Sequence, residues 1–201
     1  MCHAFFTDAK FYRFLFHIDQ EIAAEVQAGN CPHCGGPLHV SRYPRKPRGI
    51  RQAVLGESYQ SRLSFCCANE DCRRRCTPPS VRFLGRKVYL GVVVVLVTAL
   101  NHGLTPCRCR QLIEQLDLWP QTIDRWRRWW REVFAVSRCW QIERGHFIPP
   151  IDSDQLPGIL LDRLNGVDLR YRICLLLRLL APVTTASWSG SLRVAIDPQK
   201  M

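Results

Sequence analysis

CPHCGG at residues 31–36 and FCCANEDCRRRC at residues 65–76 hold six of the eleven cysteines in this 201-residue chain. Cys31 and Cys34 have the Cys-x-x-Cys spacing, which lets two thiolates chelate one metal ion while the following glycines let the backbone turn under the sulfurs. The second stretch offers another pair, which would complete the four-thiolate shell that structural zinc prefers. The sequence therefore predicts a zinc ribbon over residues 31–84.

The second pair of ligands has to be chosen from four cysteines. The run from Arg62 to Cys67 alternates like a half-buried strand, so Phe65 and Cys67 share one face and Cys66 points away. Cys76 can be a small buried apolar side chain, which is what free cysteine usually is. The predicted zinc ligands are therefore Cys31, Cys34, Cys67 and Cys72, with Cys66 and Cys76 as alternates.

The composition indicates an anionic partner. An apolar content of 47% excludes a mainly disordered chain, and a net charge of +11 comes mostly from arginine, whose planar guanidinium suits phosphate. The first residues lack the basic region and apolar run of a secretory leader, and Cys-x-x-Cys pairs suit a reducing compartment. We therefore expect a cytoplasmic, nucleoid-associated protein. No membrane contact is expected, because the apolar run Val88–Leu100 is shorter than the ~20 residues of a spanning helix.

Two basic segments accompany the predicted zinc site. SRYPRKPRGIR (41–51) carries five positive charges and two prolines, which keep the segment extended and spread its charges as phosphate contacts require. The second segment is the run Arg73–Arg75. A solvated charged loop is the alternative interpretation. The predicted DNA-binding residues of these segments are Arg42, Arg45, Lys46, Arg48, Arg51, Arg73, Arg74 and Arg75.

Outside the ribbon the chain is predicted to be mainly α-helical. Apolar residues recur at three- and four-residue steps over 8–27, and Val88–Leu100 is predicted as a buried helix because of its length and the Asn-His-Gly stop after it. Short helices follow Pro149, and a loose tail is predicted from Thr184. The predicted segments are an N-terminal helix (1–30), the zinc ribbon (31–84), a helix-turn-helix domain (85–148), and C-terminal helices with a flexible tail (149–201).

A helix-turn-helix is predicted where Pro106 and Pro120 each open a helix, over 107–116 and 120–134. The expected inner stripe of the second helix is Ile123, Trp126, Trp130, Val133 and Phe134. Its outer face can enter a major groove, where the first turns reach base edges and later arginines reach phosphate. An ordinary surface helix is the alternative, and Trp119 is expected in the core. The predicted DNA contacts of this helix are Gln121, Thr122, Arg125, Arg128 and Arg131.

The cysteine pattern followed by QTIDRWRRWW (121–130) resembles zinc-ribbon plus helix-turn-helix proteins of bacterial insertion sequences, including the N-terminal modules of transposases. The resemblance covers residues 31–135. It implies double-stranded DNA as the ligand, zinc on the four cysteines, and the 120–134 helix on the DNA. A separate transposase or integrase would be a partner, because the chain after Phe134 is shorter than the ~100–150 residues of an ordinary catalytic domain.

Two other functions fit parts of the sequence. A zinc-ribbon RNA- or ribosome-binding factor would use the 42–51 segment instead of the 120–134 helix. A small metal-dependent nuclease would hold two divalent ions with aspartates near the C-terminus, although aspartate is also frequent at helix caps and turns. The candidate aspartates are Asp152, Asp154, Asp162 and Asp168. The favoured prediction is a zinc-dependent DNA-binding protein of a transposable element, without catalytic residues of its own.

Overall fold

The computed structural model describes residues 3–84, 89–100, 110, 113–114 and 116–187, and the fold is mainly helical with two small antiparallel sheets. The helices are α1 (His3–Thr7), α2 (Ala9–Ala28), α3 (Gln52–Leu55), α4 (Gly91–Leu100), α5 (Pro120–Trp129), α6 (Arg138–Glu143), α7 (Gly158–Arg163) and α8 (Leu169–Leu180). A π turn, Trp130–Phe134, continues α5. Short 3-10 turns lie at Glu57–Gln60, Arg144–His146, Ser153–Gln155 and Ala181–Thr184.

The strands are β1 (Leu38–Val40), β2 (Tyr43–Pro44), β3 (Ser61–Arg62), β4 (Phe65–Cys67) and β5 (Arg75–Cys76). β4 lies between β1 and β5 in a three-stranded sheet, and β2 pairs with β3 in a second sheet. In the larger sheet Leu38 stands opposite Cys67, and Phe65 stands opposite Cys76. The alternation of the strand buries Phe65 and Cys67 and turns Cys66 to the other face, as the sequence predicts.

The main core is built around α4. Its residues Val92–Val97 are at most 2% exposed, because α5, α7 and α8 pack around the helix. A Cβ on Gly91 would lie 2.9 Å from a leucine methyl of α8, so the missing side chain permits a close approach of the two helices. Trp130 donates its indole N–H to the hydroxyl of Thr98 over 3.0 Å, which gives both buried polar groups a partner. The predicted buried helix is thus confirmed from Gly91 onward.

A buried ion pair ties α2 to the segment 80–83. The carboxylate of Asp19 accepts hydrogen bonds from Arg82 Nε at 2.7 Å, from the Ser80 hydroxyl at 2.6 Å and from the Val81 amide at 2.7 Å. The guanidinium lies 4.7, 4.8 and 4.9 Å from the ring centroids of Phe16, Tyr59 and Phe83. Arg82 is therefore a structural residue that stabilises the position of α2, since its charge is compensated where water is excluded.

The helical segments share one hydrophobic core. A single cluster of buried residues joins α2, α4, α5 and α8, so the predicted boundary at 148/149 does not divide two cores. The predicted loose tail begins too early. Thr184 is buried, donates to the carbonyl of Ala181 over 2.6 Å and accepts from the Ser80 amide over 3.0 Å. The rest of that predicted tail, from 188, lies outside the described residues.

The π turn decides which side chains after α5 are buried. The Ala135 amide bonds to the Trp130 carbonyl, five residues back, over 3.0 Å, so each residue rotates the chain less than in an α-helix. Phe134 consequently takes the inward position and Val133 is 53% exposed. The prediction that Val133 belongs to the inner stripe is wrong, whereas the other four members are buried.

The predicted helix-turn-helix is described mainly through its second helix. The first helix, predicted over 107–116, lies outside the described residues except for positions 110, 113, 114 and 116. At the predicted turn before α5, Asp117 has a φ of 49°, a left-handed conformation that aspartate tolerates better than most side chains. Among the described helices, none combines the length and the apolar character that crossing a membrane requires.

Candidate metal centre

The turn at 31–36 positions the first two sulfurs. The Gly35 amide bonds to the Cys31 carbonyl, and the Cys31 amide bonds to the Gly36 carbonyl, both over 2.8 Å. Gly35 has a φ of 71°, which glycine adopts without strain. A Cβ on Gly36 would lie 3.4 Å from the sulfurs of Cys34 and Cys67, so the bare backbone leaves room beside these two atoms.

The turn after β4 positions the other two sulfurs. The Cys67 amide bonds to the Arg74 carbonyl over 3.0 Å, and the amides of Cys72 and Arg73 bond to the Asn69 carbonyl over 3.1 and 2.9 Å. The Asn69 side chain also accepts from an amide within the turn over 3.1 Å. These bonds fold the chain back, so Cys72 returns to the side of the sheet end that carries Cys67.

The four predicted ligands form one compact group. All four sulfurs lie within 4.8 Å of one another, with 3.8 Å between Cys31 and Cys72 and 3.4 Å between Cys34 and Cys67. A tetrahedral ion with metal–sulfur bonds of ~2.3 Å separates its ligands by about 3.8 Å. The geometry is therefore compatible with metal binding by this set.

The two alternate ligands lie outside the group. Cys66 points to the other face of β4, where its sulfur is 3.4 Å from the Arg73 carbonyl. Cys76 is buried, and its sulfur is 3.8 Å from the Ser187 carbonyl. The alternation of β4 separates Cys66 from Cys67, and Cys76 packs with apolar residues on the inner face of the sheet.

Two of the four thiols have pKa values shifted in opposite directions. A hydrogen bond from the His33 amide lowers the pKa of Cys31 to about 7, although burial acts in the opposite direction. Burial raises the pKa of Cys67 to about 12. A metal ion binds only thiolates, so it would have to displace the proton of Cys67. Binding of a cation is thus coupled to proton release at this site.

The sulfur group lies against the end of α2. Cys31 and Cys67 share a small cluster of buried residues with Ala23 and Val26 of α2, and this cluster is distinct from the main core. Gln27 Nε2 also donates to the carbonyl at the start of β1 over 3.1 Å. Residues of α2 belong to both this cluster and the main core, so α2 connects the four-cysteine group with the helical part of the fold.

The basic segment 42–51 is only partly the open loop predicted from its prolines. Its beginning is paired as β2 with β3. The guanidinium of Arg45 lies 5.4 Å from the ring centroid of Phe83, and the side chain is half-buried, so Arg45 is less available to phosphate than predicted. The exposed cations of the segment are Arg42, Lys46, Arg48 and Arg51.

The arginine run after Cys72 is exposed, and each member has a neighbour. Arg73 pairs with Glu70 over 2.9 Å, and Arg74 Nη1 lies 3.2 Å from Nδ1 of the exposed His33. Arg75 lies over the ring of Tyr43 at 5.8 Å from its centroid. The last contact places the arginine run next to the 42–51 segment.

α5 presents an exposed polar face, and all but one of the side chains predicted to contact DNA lie on it or in the π turn that follows. Gln121, Arg125 and Arg128 are exposed, and so is Arg131 in the π turn. Thr122 is buried and its hydroxyl accepts from Arg125 Nη2 over 3.0 Å, so the prediction that it contacts DNA is corrected: Thr122 orients Arg125.

Two aromatic residues complete the surroundings of α5. Trp119, expected in the core, is 69% exposed immediately before the helix, because the extended residue that precedes Pro120 turns away from the core. Tyr89 meets the ring of Trp126 edge-on at 5.1 Å, and its backbone bridges to Arg48. α5 and the 42–51 segment are therefore neighbours through Tyr89.

The aspartates considered for the alternative nuclease function include two caps and surface charges. Asp152 accepts from the Asp154 amide over 3.0 Å, Asp168 accepts from the amide of a residue in α8 over 2.8 Å, and Asp162 lies 4.0 Å from Arg172. Throughout the described ranges, the four cysteines are the one group of three or more potential ligands close enough to share a metal ion.

The chain was also compared with protein-family models, curated proteins and solved structures, and none of the three comparisons found a match.

Proposed function

We propose that this protein binds double-stranded DNA as a zinc-dependent targeting or accessory protein of a transposable element, acting with a separate transposase or integrase. The observation that carries the proposal is the division of α5 into two faces. Ile123 and Trp126 anchor the helix on the core, as does Trp130 at the start of the π turn. Gln121, Arg125 and Arg128 occupy the opposite, exposed face. A helix anchored in this way can lie in a major groove with its side chains toward base edges.

Zinc is the metal proposed for the four-cysteine group. Four thiolates at tetrahedral spacing suit zinc better than magnesium or calcium, which prefer oxygen ligands. The ion would be structural, because four protein ligands leave no open position for a substrate. In this proposal residues 31–84 are a zinc ribbon, and the ion stabilises the surface that carries Arg73, Arg74 and Arg75.

The basic segments are proposed to supply affinity, and α5 to supply sequence preference. Arg42, Lys46 and Arg48 are exposed, and the backbone of Arg48 bridges to Tyr89, whose ring meets Trp126 of α5. A duplex on α5 could therefore also meet side chains of this segment. Phosphate contacts strengthen binding to every sequence, whereas contacts with base edges discriminate between sequences. Trp119 is a further exposed side chain at the start of α5 that could contact a sugar or a base.

A salt titration on two kinds of duplex tests this division. A preferred duplex is first selected with the wild-type protein from a random library. The variant with Arg42, Lys46 and Arg48 changed to alanine should bind preferred and random duplexes more weakly by the same factor. Its salt dependence should fall by about 0.9 for each lost phosphate contact. Gln121→Ala and Arg125→Ala should instead lose ~1–3 kcal/mol on the preferred duplex and little on random DNA.

The matched control is Arg138→Ala, which removes an exposed arginine of α6 outside both basic segments and α5. An unchanged ratio of preferred to random binding in Gln121→Ala and Arg125→Ala would show that α5 does not read the sequence. Tighter binding of a structured RNA than of the selected duplex would favour the RNA-binding function instead.

A further inference from the structure

One flank of α5 forms a groove with the turn at 153–156. The groove has a volume of about 490 Å³ and is lined by Asp124, Arg127, Arg128, Arg131, Asp154 and Leu156. The pairs 124/127, 124/128, 127/131 and 128/131 are three or four residues apart, so the four positions lie on one side of the helix. Three guanidinium groups therefore line one concavity, next to the exposed face that carries Gln121 and Arg125.

The cations of the groove are only weakly compensated. Arg127 lies 3.3 Å from Asp124, and Arg128 lies 4.0 Å from Glu132, both on the protein surface where such pairs contribute little. Arg131 has no ion pair with any described residue. A guanidinium offers a planar pair of N–H donors that matches two phosphate oxygens, and neighbouring arginines add charge. The groove thus has the chemistry of a phosphate site.

The opposite wall of the groove carries a carboxylate. Asp154 belongs to the turn Ser153–Gln155, which Asp152 caps by accepting from the Asp154 amide over 3.0 Å. This bond holds the backbone of Asp154 across from the arginines. No described arginine forms an ion pair with the Asp154 carboxylate. An anion entering the groove would approach this carboxylate and be repelled by it.

We infer that the groove between α5 and the 153–156 turn binds a phosphate group through Arg131, Arg127 and Arg128, and that Asp154 limits the affinity. Arg128 lies on both the groove side and the exposed face of α5. If α5 contacts bases, as the proposed function states, a phosphate held here would belong to the DNA backbone next to those bases. This part of the inference rests on the proposed function. A phosphate of a free ligand would use the same donors.

The experiment compares wild type, Arg131→Gln and Asp154→Asn with Arg138→Gln, an equal charge change at an exposed arginine outside the groove. Each protein is titrated with the selected duplex at several salt concentrations and, separately, with pyrophosphate. Arg131→Gln should weaken duplex binding about tenfold and reduce the salt dependence by about 0.9. Asp154→Asn should strengthen binding roughly threefold, because a repulsive charge is removed. Arg138→Gln should change the affinity by less than about twofold.

The outcomes separate the two hypotheses. If the wild type binds the duplex and Arg131→Gln behaves like Arg138→Gln, the groove site is overturned and the proposed function stands. If the wild type does not bind duplex DNA but binds pyrophosphate in an Arg131-dependent way, the groove takes a free phosphate ligand and the proposed function falls. Failure to bind either probe overturns both. Weaker duplex binding by Asp154→Asn would overturn the repulsive effect of Asp154. Thermal melts of all variants confirm that they are folded.

Discussion

Cys31→Ser and Cys72→Ser are each expected to abolish metal binding and to unfold the sheet of residues 38–76. The wild type should carry one equivalent of zinc per chain, since its four sulfurs lie within 4.8 Å of one another. Structural zinc contributes on the order of 10 kcal/mol to the folding of small zinc domains. The small cluster around Cys31, Ala23 and Val26 includes residues of this sheet. Unfolding of the sheet should therefore also expose the end of α2. Elemental analysis and chelator-dependent thermal melts measure both effects.

Cys66→Ser and Cys76→Ala are the matched controls for the metal centre. Neither sulfur belongs to the group of four, so both variants should keep one equivalent of zinc. Cys76→Ala should lower stability modestly, because the side chain is buried beside Phe65. Zinc retained in both Cys31→Ser and Cys72→Ser would refute the assignment. Zinc lost in Cys66→Ser but kept in Cys67→Ser would exchange those two ligands.

Asp19→Asn should lower the free energy of unfolding by ~3–5 kcal/mol, because it leaves Arg82 buried without a counter-charge. The carboxylate accepts three hydrogen bonds of 2.6 to 2.7 Å, from Ser80, Val81 and Arg82. An asparagine side chain of the same size can accept at one oxygen only, so at least one of the buried donors loses its partner. Equilibrium unfolding in urea, followed by tryptophan fluorescence and circular dichroism, measures the change.

Glu21→Gln provides the control on the same helix. Glu21 pairs with His17 over 3.1 Å, and the two side chains are 37% and 52% exposed, so the change should alter stability by less than about 0.5 kcal/mol. A second variant, Asp19→Leu with Arg82→Met, removes both charges and should recover much of the loss, since buried pairs can often be replaced by apolar residues. Equal stabilities of Asp19→Asn and Glu21→Gln would refute the structural importance of the ion pair.

The four-cysteine group could be predicted because the signals are local. The Cys-x-x-Cys pair and its glycines form a turn within six residues, and strand alternation over Phe65, Cys66 and Cys67 decides which adjacent cysteine faces inward. The helix start at Pro120 and the exposure of Gln121, Arg125 and Arg128 are local in the same sense. The spacing of residues along the chain is sufficient to predict the position of a side chain when the hydrogen bonds that hold it come from residues a few positions away.

The sequence by itself therefore determined the four-sulfur group, the apolar helix around which the core packs, and the polar face of α5. Only the tertiary structure decided that Arg82 is buried, that Arg45 lies on Phe83, and that Val133 is exposed. The partners of Arg82 and Arg45 are distant in sequence, and the π turn forms where Trp130 and Phe134 both pack into the core. The groove beside α5 is likewise a tertiary feature, because Asp154 and Arg131 line it together only through the packing of the 153–155 turn against the 130–134 turn. Such contacts between remote segments leave no periodic pattern in the sequence.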